Sequence, residues 1–392
     1  MPSPTGAETF PAATAAAAHI FTAVLSHGPL TRLAVARRTG LSPAAVTKAV
    51  RPLIEAGYLV EQAGADPETR PALGRPAALV RVDGGRALFL GVKLTGDEII
   101  GVLTDLRCRI LLSRRVPMGD RAPRTVLAAT ADLVRELLAE ADGYGVRVAG
   151  LGIAVSGDVD RAEGVVRYSP FLDWHDVPLA GLAAAATGLP VTVDNDVRAL
   201  TVAEQWFGAG VGLSDFAVVT VGAGIGCGLV VHGRVVAGAH GVAGEIGHVT
   251  VDPNGPPCHC GNRGCVEAIA ADAAILARIR ETGGTEVADT AEAVERARRG
   301  DTDACEAYAR AGAAIGRGIA TVANLLGPAR VIISGEGLAA YDLFAEQIRE
   351  AFAAAAFGSA ARCDVRTRPL PFEEWARGAA ATAIQSFISA PD

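Results

Sequence analysis

His248, Cys258, Cys260 and Cys265 fall within eighteen positions of one another in GEIGHVTVDPNGPPCHCGNRGCVEAIA, residues 244–270. One imidazole and three thiolates are four soft or borderline donors, enough to close a tetrahedral zinc site with no position left for water. Such a site shapes a fold and performs no hydrolysis. Gly255, Pro256, Pro257, Gly261 and Gly264 supply the sharp turns that bring three sulfurs to one centre. His259 stands between two of the ligands and is expected to point away from them. The same residues also fit a reduced thiol trio or redox switch that holds no metal. The other cysteines, Cys108, Cys227, Cys305 and Cys363, are scattered, and an odd total of seven favours metal binding over a disulfide framework.

These residues need a scaffold. At 392 residues the chain is too long for one ordinary core, and with half its residues hydrophobic and a fifth charged it is not a disordered chain. No basic-then-apolar leader opens it and no stretch gives eighteen uninterrupted apolar residues, which predicts a soluble, cytoplasmic protein with no membrane partner. The net charge of −7 is uneven: residues 1–82 carry eight basic side chains against five acidic ones, about +3, leaving about −10 on the remainder. A polyanion would meet the N-terminal segment.

That segment has its own pattern. Ile20, Val24 and Leu25 recur at helical spacing until Ser26-His27-Gly28-Pro29 breaks the chain. Thr31 caps a second helix ending at Gly40, and Ser42 followed by Pro43 opens a third that stops at Gly57. Two helices across a tight glycine turn make a helix-turn-helix. In the third, Val46, Val50, Leu53 and Ile54 face inward. Ser42, Ala44, Ala45, Thr47, Lys48 and Arg51 are left to enter a DNA major groove, where small side chains let the backbone approach base edges. Pro52 lacks an amide donor and predicts a bend or early loosening. YLVEQ and AALVRV alternate as the strands of a wing, with Arg70 and Arg75 on the loop between, and Gly74-Arg75-Pro76 has the form of a minor-groove hook. A protein-interaction module would show the same helices; the charge asymmetry favours double-stranded DNA.

From residue 87 the pattern changes. ALFLGVKL, IIGVLTDL and RILLSRRV read as strands, TVLAATADLVRELLAEAD as a helix, and VAGLGIAVSG and LPVTVDND as further strands. The cycle repeats from FAVVTVGAGIGCGLVVHGRVVAG through a helix at 302–325 to the buried strand RVIISGE. Two β-β-β-α-β-α-β passes predict an α/β body of two lobes with a cleft. GIAVSGDVD (152–160), SPFLDW (169–174), VDNDVRAL (193–200), the glycine-rich 222–248 and CHCGNRGCVE (258–267) make residues 87–392 resemble the ROK family of repressors, open reading frames and kinases. With the helix-turn-helix in front, the whole chain is similar to ROK transcriptional regulators.

The resemblance implies a two-lobed actin/hexokinase-like (ribonuclease H-like) body behind a winged helix-turn-helix. The expected divisions are 1–83 for the head, 84–196 with about 371–392 for lobe one, and 197–370 for lobe two with the thiol loop. It implies structural zinc on His248, Cys258, Cys260 and Cys265, and a monosaccharide or sugar phosphate contacted by Asn195, Asp196, Glu245, His248 and Glu267, whose carboxylates suit sugar hydroxyls.

It also raises phosphoryl transfer. Asp196 matches the family's catalytic base, and Gly222, Gly224, Gly226 and Gly228 match its second phosphate loop. The first phosphate loop is lost: GVKLTGDE at 91–98 places Lys93 where the kinases have the aspartate that organises magnesium, and Asp97 where they have a threonine facing phosphate. A carboxylate about 4 Å from a phosphate oxygen costs on the order of 4 kcal/mol at an effective dielectric near 20. Lys93 offers a charge that a phosphate could meet, but without a metal anchor Asp196 reads as a vestigial base, and no catalysis is expected. The sequence thus points to a sugar-responsive regulator, a repressor, whose homodimer, or dimer of dimers, reads a two-fold operator. A sugar kinase with a DNA-binding appendage, and a regulator whose signal is a docked sugar-transport protein, are the alternatives.

Overall fold

The computed structural model describes residues 10, 11, 14–63, 78–283 and 286–389. The head is built by its caps. Thr14, Thr31 and Ser42 each accept an amide three residues on, at 3.1–3.2 Å, and so start α1 (Ala15–His27), α2 (Arg32–Thr39) and α3 (Pro43–Glu55). Gly40 ends α2 in the left-handed region at φ 69°. Ile20, Phe21, Val35, Val46, Val50 and Leu53 form the core between the three helices. The helix α3 runs through Pro52 to Glu55; the proline stands in the last turn, where a lost amide costs little. The wing strands β2 (Leu59–Gln62) and β3 (Leu79–Val82) are joined by a two-residue strand, β1 (Leu30–Thr31), in the order β1-β3-β2. The short β1 carries no periodicity and went unread in the sequence.

The chain divides into two compact units, residues 1–212 with 373–392, and residues 213–372. Behind the head, the first unit holds β4 (Leu88–Leu94), β5 (Glu98–Asp105), β6 (Ile110–Pro117), α4 (Pro123–Ala141) and β7 (Val148–Val155). A small antiparallel sheet of β8 (Asp158–Asp160), β9 (Val165–Ser169) and β10 (Trp174–Val177) follows, then α5 (Leu179–Thr187), β11 (Val191–Asn195) and α6 (Asp196–Phe207). The main sheet has the order β11-β7-β4-β5-β6, with β4, β5 and β6 antiparallel and β7 and β11 parallel to β4. The C-terminal helix Glu373–Ile388 lies directly on this sheet. A Cβ at Gly91 or Gly152 would sit 1.9 or 1.8 Å from the carbonyl oxygens of Ala376 and Ala379, so only glycine admits the helix. Near its end Phe387 meets Phe10 (ring centroids 5.6 Å), Tyr58 (6.1 Å) and Phe89 (5.3 Å), and Phe10 meets Phe21 at 4.7 Å, an aromatic cluster that fastens the head to the body.

The second unit repeats the plan. β12 (Phe216–Val221), β13 (Ile225–Val231) and β14 (Arg234–Val235) are antiparallel. The thiol loop then leads into α7 (Val266–Ala270), α8 (Asp272–Gly283), α9 (Thr290–Arg298) and α10 (Thr302–Leu326). β15 (Arg330–Ser334), α11 (Ala345–Ala355) and β16 (Asp364–Thr367) complete a sheet of order β14-β13-β12-β15-β16 with β12, β15 and β16 parallel. Each unit therefore carries an antiparallel three-strand meander extended by two parallel strands. Among the described residues no helix is long and apolar enough to cross a membrane.

Candidate functional site

The strand β11 delivers Asp194, Asn195 and Asp196 to the start of α6. Asp194 is buried and held by Arg198 Nε at 2.7 Å and Arg161 at 3.1 Å, which fixes the strand end. Asn195 is committed locally: its side-chain oxygen accepts the amides of Val197 and Arg198, and its Nδ2 donates to the Gly157 carbonyl at 2.9 Å. Asp196, 7% exposed, forms an ion pair with the ammonium of Lys93 from β4, itself 5% exposed. Ser156 donates to the same carboxylate oxygen at 2.5 Å and accepts from Lys93 at 2.9 Å. Burial pushes the Asp196 carboxyl up, but the Lys93 charge, with hydrogen bonds from Lys93, Ser156 and the Val197 amide, outweighs it and holds the group below the usual carboxylate range. A carboxylate so neutralised is a poor proton acceptor and a competent hydrogen-bond acceptor. Asp97 stands away from this cluster, its side chain 95% exposed and 3.6 Å from Arg121.

In the second unit the glycine-rich turn joins β12 to β13, and Gly226 and Gly228 lie within β13 itself. The turn amide of Ala223 donates to Glu336 Oε1 at 3.0 Å, and a Cβ at Gly222 would lie 2.3 Å from the Glu336 carboxyl. An internal carboxylate thus already occupies a backbone amide of the turn that the sequence reading offered to a phosphate. Burial, then the nearby Glu336, pushes Asp272 up to about 6.

The thiol loop is closed by backbone bonds from Cys258 N to the Asn262 carbonyl (2.8 Å) and from Gly264 N to the Pro256 carbonyl (2.8 Å). Gly264 has φ +60°, and a Cβ there would lie 1.5 Å from the Asp252 oxygen, so this turn demands glycine. The ligand atoms of His248, Cys258, Cys260 and Cys265 all lie within 4.8 Å of one another. Zinc–sulfur bonds of about 2.3 Å give tetrahedral edges near 3.8 Å. The Cys260–Cys265 sulfurs are 3.7 Å apart and Cys258 Sγ is 3.6 Å from His248 Nδ1, so these free thiols and the imidazole fit such an ion. Burial pushes the Cys258 thiol up to about 12, whereas the Asn262 amide holds Cys260 below the ordinary thiol range. The other imidazole nitrogen of His248 faces Glu245 at 4.0 Å, the carboxylate–histidine arrangement that orients a metal-bound ring.

His259 departs from expectation. Its Nε2 lies 2.8 Å from Glu267 Oε1 and its ring meets His248 edge-on at 4.9 Å, so it sits beside the ligand set while staying half-exposed. His248, Cys258, His259 and Glu267 form a second group of the same compactness. The two groups share His248 and Cys258, and the set with three thiols better suits zinc. The remaining Glu267 oxygen accepts the Ile225 amide at 3.0 Å.

On the head, Ser42, Ala44, Thr47, Lys48 and Arg51 are exposed along α3 and Ala45 is half-buried. Thr47 donates back to the Pro43 carbonyl at 2.9 Å, and Arg51 pairs with Glu55 of its own helix at 2.7 Å. Arg70 and Arg75 lie outside the described residues.

The ROK family model matches residues 89–386. The chain belongs to the ROK family. A winged helix-turn-helix DNA-binding model matches residues 19–60. The DNA-binding transcriptional dual regulator NagC of Escherichia coli K12 is 29% identical over 327 residues, 81% of this chain and 80% of its own. A glucokinase of Thermotoga maritima is 38% identical over 262 residues, 63% of this chain and 81% of its own. A solved ROK family transcriptional regulator, a homologue of the E. coli MLC protein, matches with a TM-score of 0.79 at 27% identity, over 95% of this chain and 96% of that one. The ROK body is accordingly an α/β, hexokinase-like fold with a winged helix-turn-helix before it.

Sequence reading missed three relationships in this ROK body: Lys93 with Asp196, Glu336 with Ala223, and His259 with Glu267. A lysine replacing an aspartate beside a surviving acid was a legible signal for the first. The second joins residues 113 positions apart and left no local trace.

Proposed function

We propose that this ROK protein is a sugar-responsive, DNA-binding transcriptional repressor of carbohydrate-metabolism genes, without kinase activity. One observation carries the reading: a capped helix-turn-helix with an exposed α3 shares the chain with a ROK body whose acid, Asp196, is already neutralised by Lys93. The Glu336 carboxylate on the Ala223 amide supports it, because a triphosphate would have to displace a like charge from the turn. The fourfold donor set holds structural zinc, which when bound ties Cys258, Cys260 and Cys265 to His248 and fixes the loop carrying Glu245 and Glu267. Asn195, Asp196, Glu245, His248 and Glu267 are the residues we assign to the hydroxyls of a monosaccharide or its phosphate, and Ser42, Ala44, Ala45, Thr47, Lys48, Arg51, Arg70 and Arg75 those we assign to DNA. The functional parts are 1–83, 84–196 with about 371–392, and 197–370. The chain acts as a homodimer or dimer of dimers on a two-fold operator.

Sugar must favour one state of the protein to shift DNA affinity, and DNA must then shift sugar affinity in return. A gel-shift titration against monosaccharides and their phosphates tests this; no response to any of them removes the sugar from the reading. Release by a sugar-transport protein in the absence of sugar would point to that partner as the signal. The identity to a glucokinase favours a second reading, a sugar kinase. ATP consumption with a hexose panel, abolished in Asp196→Asn, would establish it.

A further inference from the structure

A cavity of about 440 Å³ opens in the first unit where the head meets the body. Its apolar wall comes from Leu25 at the end of α1, Ile110 of β6, and Trp206 and Phe207 at the end of α6. Its polar rim comes from Arg107, Arg109 and the Arg377–Glu374 pair, whose atoms are 2.5 Å apart. The rim is fixed by a tight turn. One Asp105 carboxylate oxygen accepts the amides of Arg107 and Arg109, both at 2.9 Å, and the Asp105 carbonyl accepts the Cys108 amide at 2.9 Å. Cys108 between them is held at φ +58°, a conformation that side-chain-bearing residues seldom adopt and that surrounding contacts must maintain. Those contacts are mutual: Arg377 Nε donates to the Cys108 carbonyl at 2.7 Å, and the buried Cys108 thiol donates to the Arg377 carbonyl at 3.5 Å.

Among the described residues, neither the Arg107 nor the Arg109 guanidinium has an ion-pair or hydrogen-bond partner, while Arg377 is matched by Glu374. The cavity therefore offers two cations that no described residue pairs, beside an aromatic and aliphatic wall, in the size range of small-molecule sites, which concentrate at domain joints. We propose that it is a second effector site, separate from the residues assigned to sugar, for a small organic anion: a phosphate or carboxylate at Arg107 and Arg109, with an apolar or aromatic body against Leu25, Trp206 and Phe207. Leu25 and Ser26 belong to the head and the other lining groups to the body, so an occupant bridges the two and alters how the head is held.

The test is calorimetric titration of the full-length protein with phenyl phosphate, with inorganic phosphate in parallel, and with the doubly substituted Arg107→Ala, Arg109→Ala chain. The expected result is one saturable site for phenyl phosphate, with about tenfold or greater weakening in the double variant and for inorganic phosphate, at an unchanged melting temperature. The inference is overturned if phenyl phosphate fails to saturate at millimolar concentration. It also falls if the double variant binds as tightly, or if inorganic phosphate binds equally well, because the anion would then be using neither the arginines nor the apolar wall. A melting-temperature loss in Arg107→Ala, Arg109→Ala moves the test to Arg107→Gln, Arg109→Gln, with the same outcomes.

Discussion

The Lys93 ammonium lies against the Asp196 carboxylate inside the first unit, the two side chains only 6% and 10% exposed. The pair ties Lys93 of β4 to Asp196, the first residue of α6, so that one internal interaction satisfies both buried charges.

Removing one partner leaves an uncompensated buried charge. Lys93→Met should cost about 3–5 kcal/mol of stability in urea denaturation, and Lys93→Met with Asp196→Leu should recover most of it. Asp196 titrates below its unfolded value, so its contribution is fully present above about pH 4 and is lost as pH falls through the folded value. A double variant no more stable than the single one would show that the two charges do not act as a pair.

Asp272 works in the opposite sense. Burial, then Glu336, holds it near 6, with Tyr308 also close by. The folded chain keeps this proton between about pH 4 and 6 while the unfolded chain releases it, so stability falls as pH rises across that window, by at most about 3 kcal/mol. Comparing Asp272→Asn with the parent at pH 4.5 and 6.5 isolates the effect: the variant should lack that decline.

Cys260→Ser should lower zinc content measured by atomic absorption and lower the melting temperature, and a chelator should lower the parent's melting temperature in the same direction. Undiminished zinc in Cys260→Ser would shift the assignment to the set of His248, Cys258, His259 and Glu267.

Arg51 is restrained by Glu55 on the same exposed helix face. Glu55→Gln should tighten binding to duplex DNA, and Arg51→Ala should weaken it while lowering the slope of log affinity against log salt by about one unit, the signature of one lost phosphate contact. An unchanged slope would place Arg51 outside the interface.

The contrast between what sequence revealed and what it hid has a physical basis. Caps such as Thr31 and Ser42 act over three residues, strands such as Val148–Val155 are read from apolar runs, and the cysteine spacing is local, so these features were legible. The pairing of β1 with the wing, the bond from Asn195 Nδ2 to the Gly157 carbonyl, and the Glu336 contact depend on which distant segments fold together. Gly91 and Gly152 fall within segments that read as strands, and nothing local shows that they let the C-terminal helix touch the sheet.

The aromatic cluster of Phe10, Tyr58, Phe89 and Phe387 gathers residues that lie hundreds of positions apart along the polypeptide. During synthesis the head and the first sheet leave the ribosome long before Phe387 exists, and the groove over Gly91 and Gly152 stays uncovered until the final helix arrives. A nascent chain therefore carries an unanchored head until Phe387 has been made and its ring can meet Phe10, Tyr58 and Phe89.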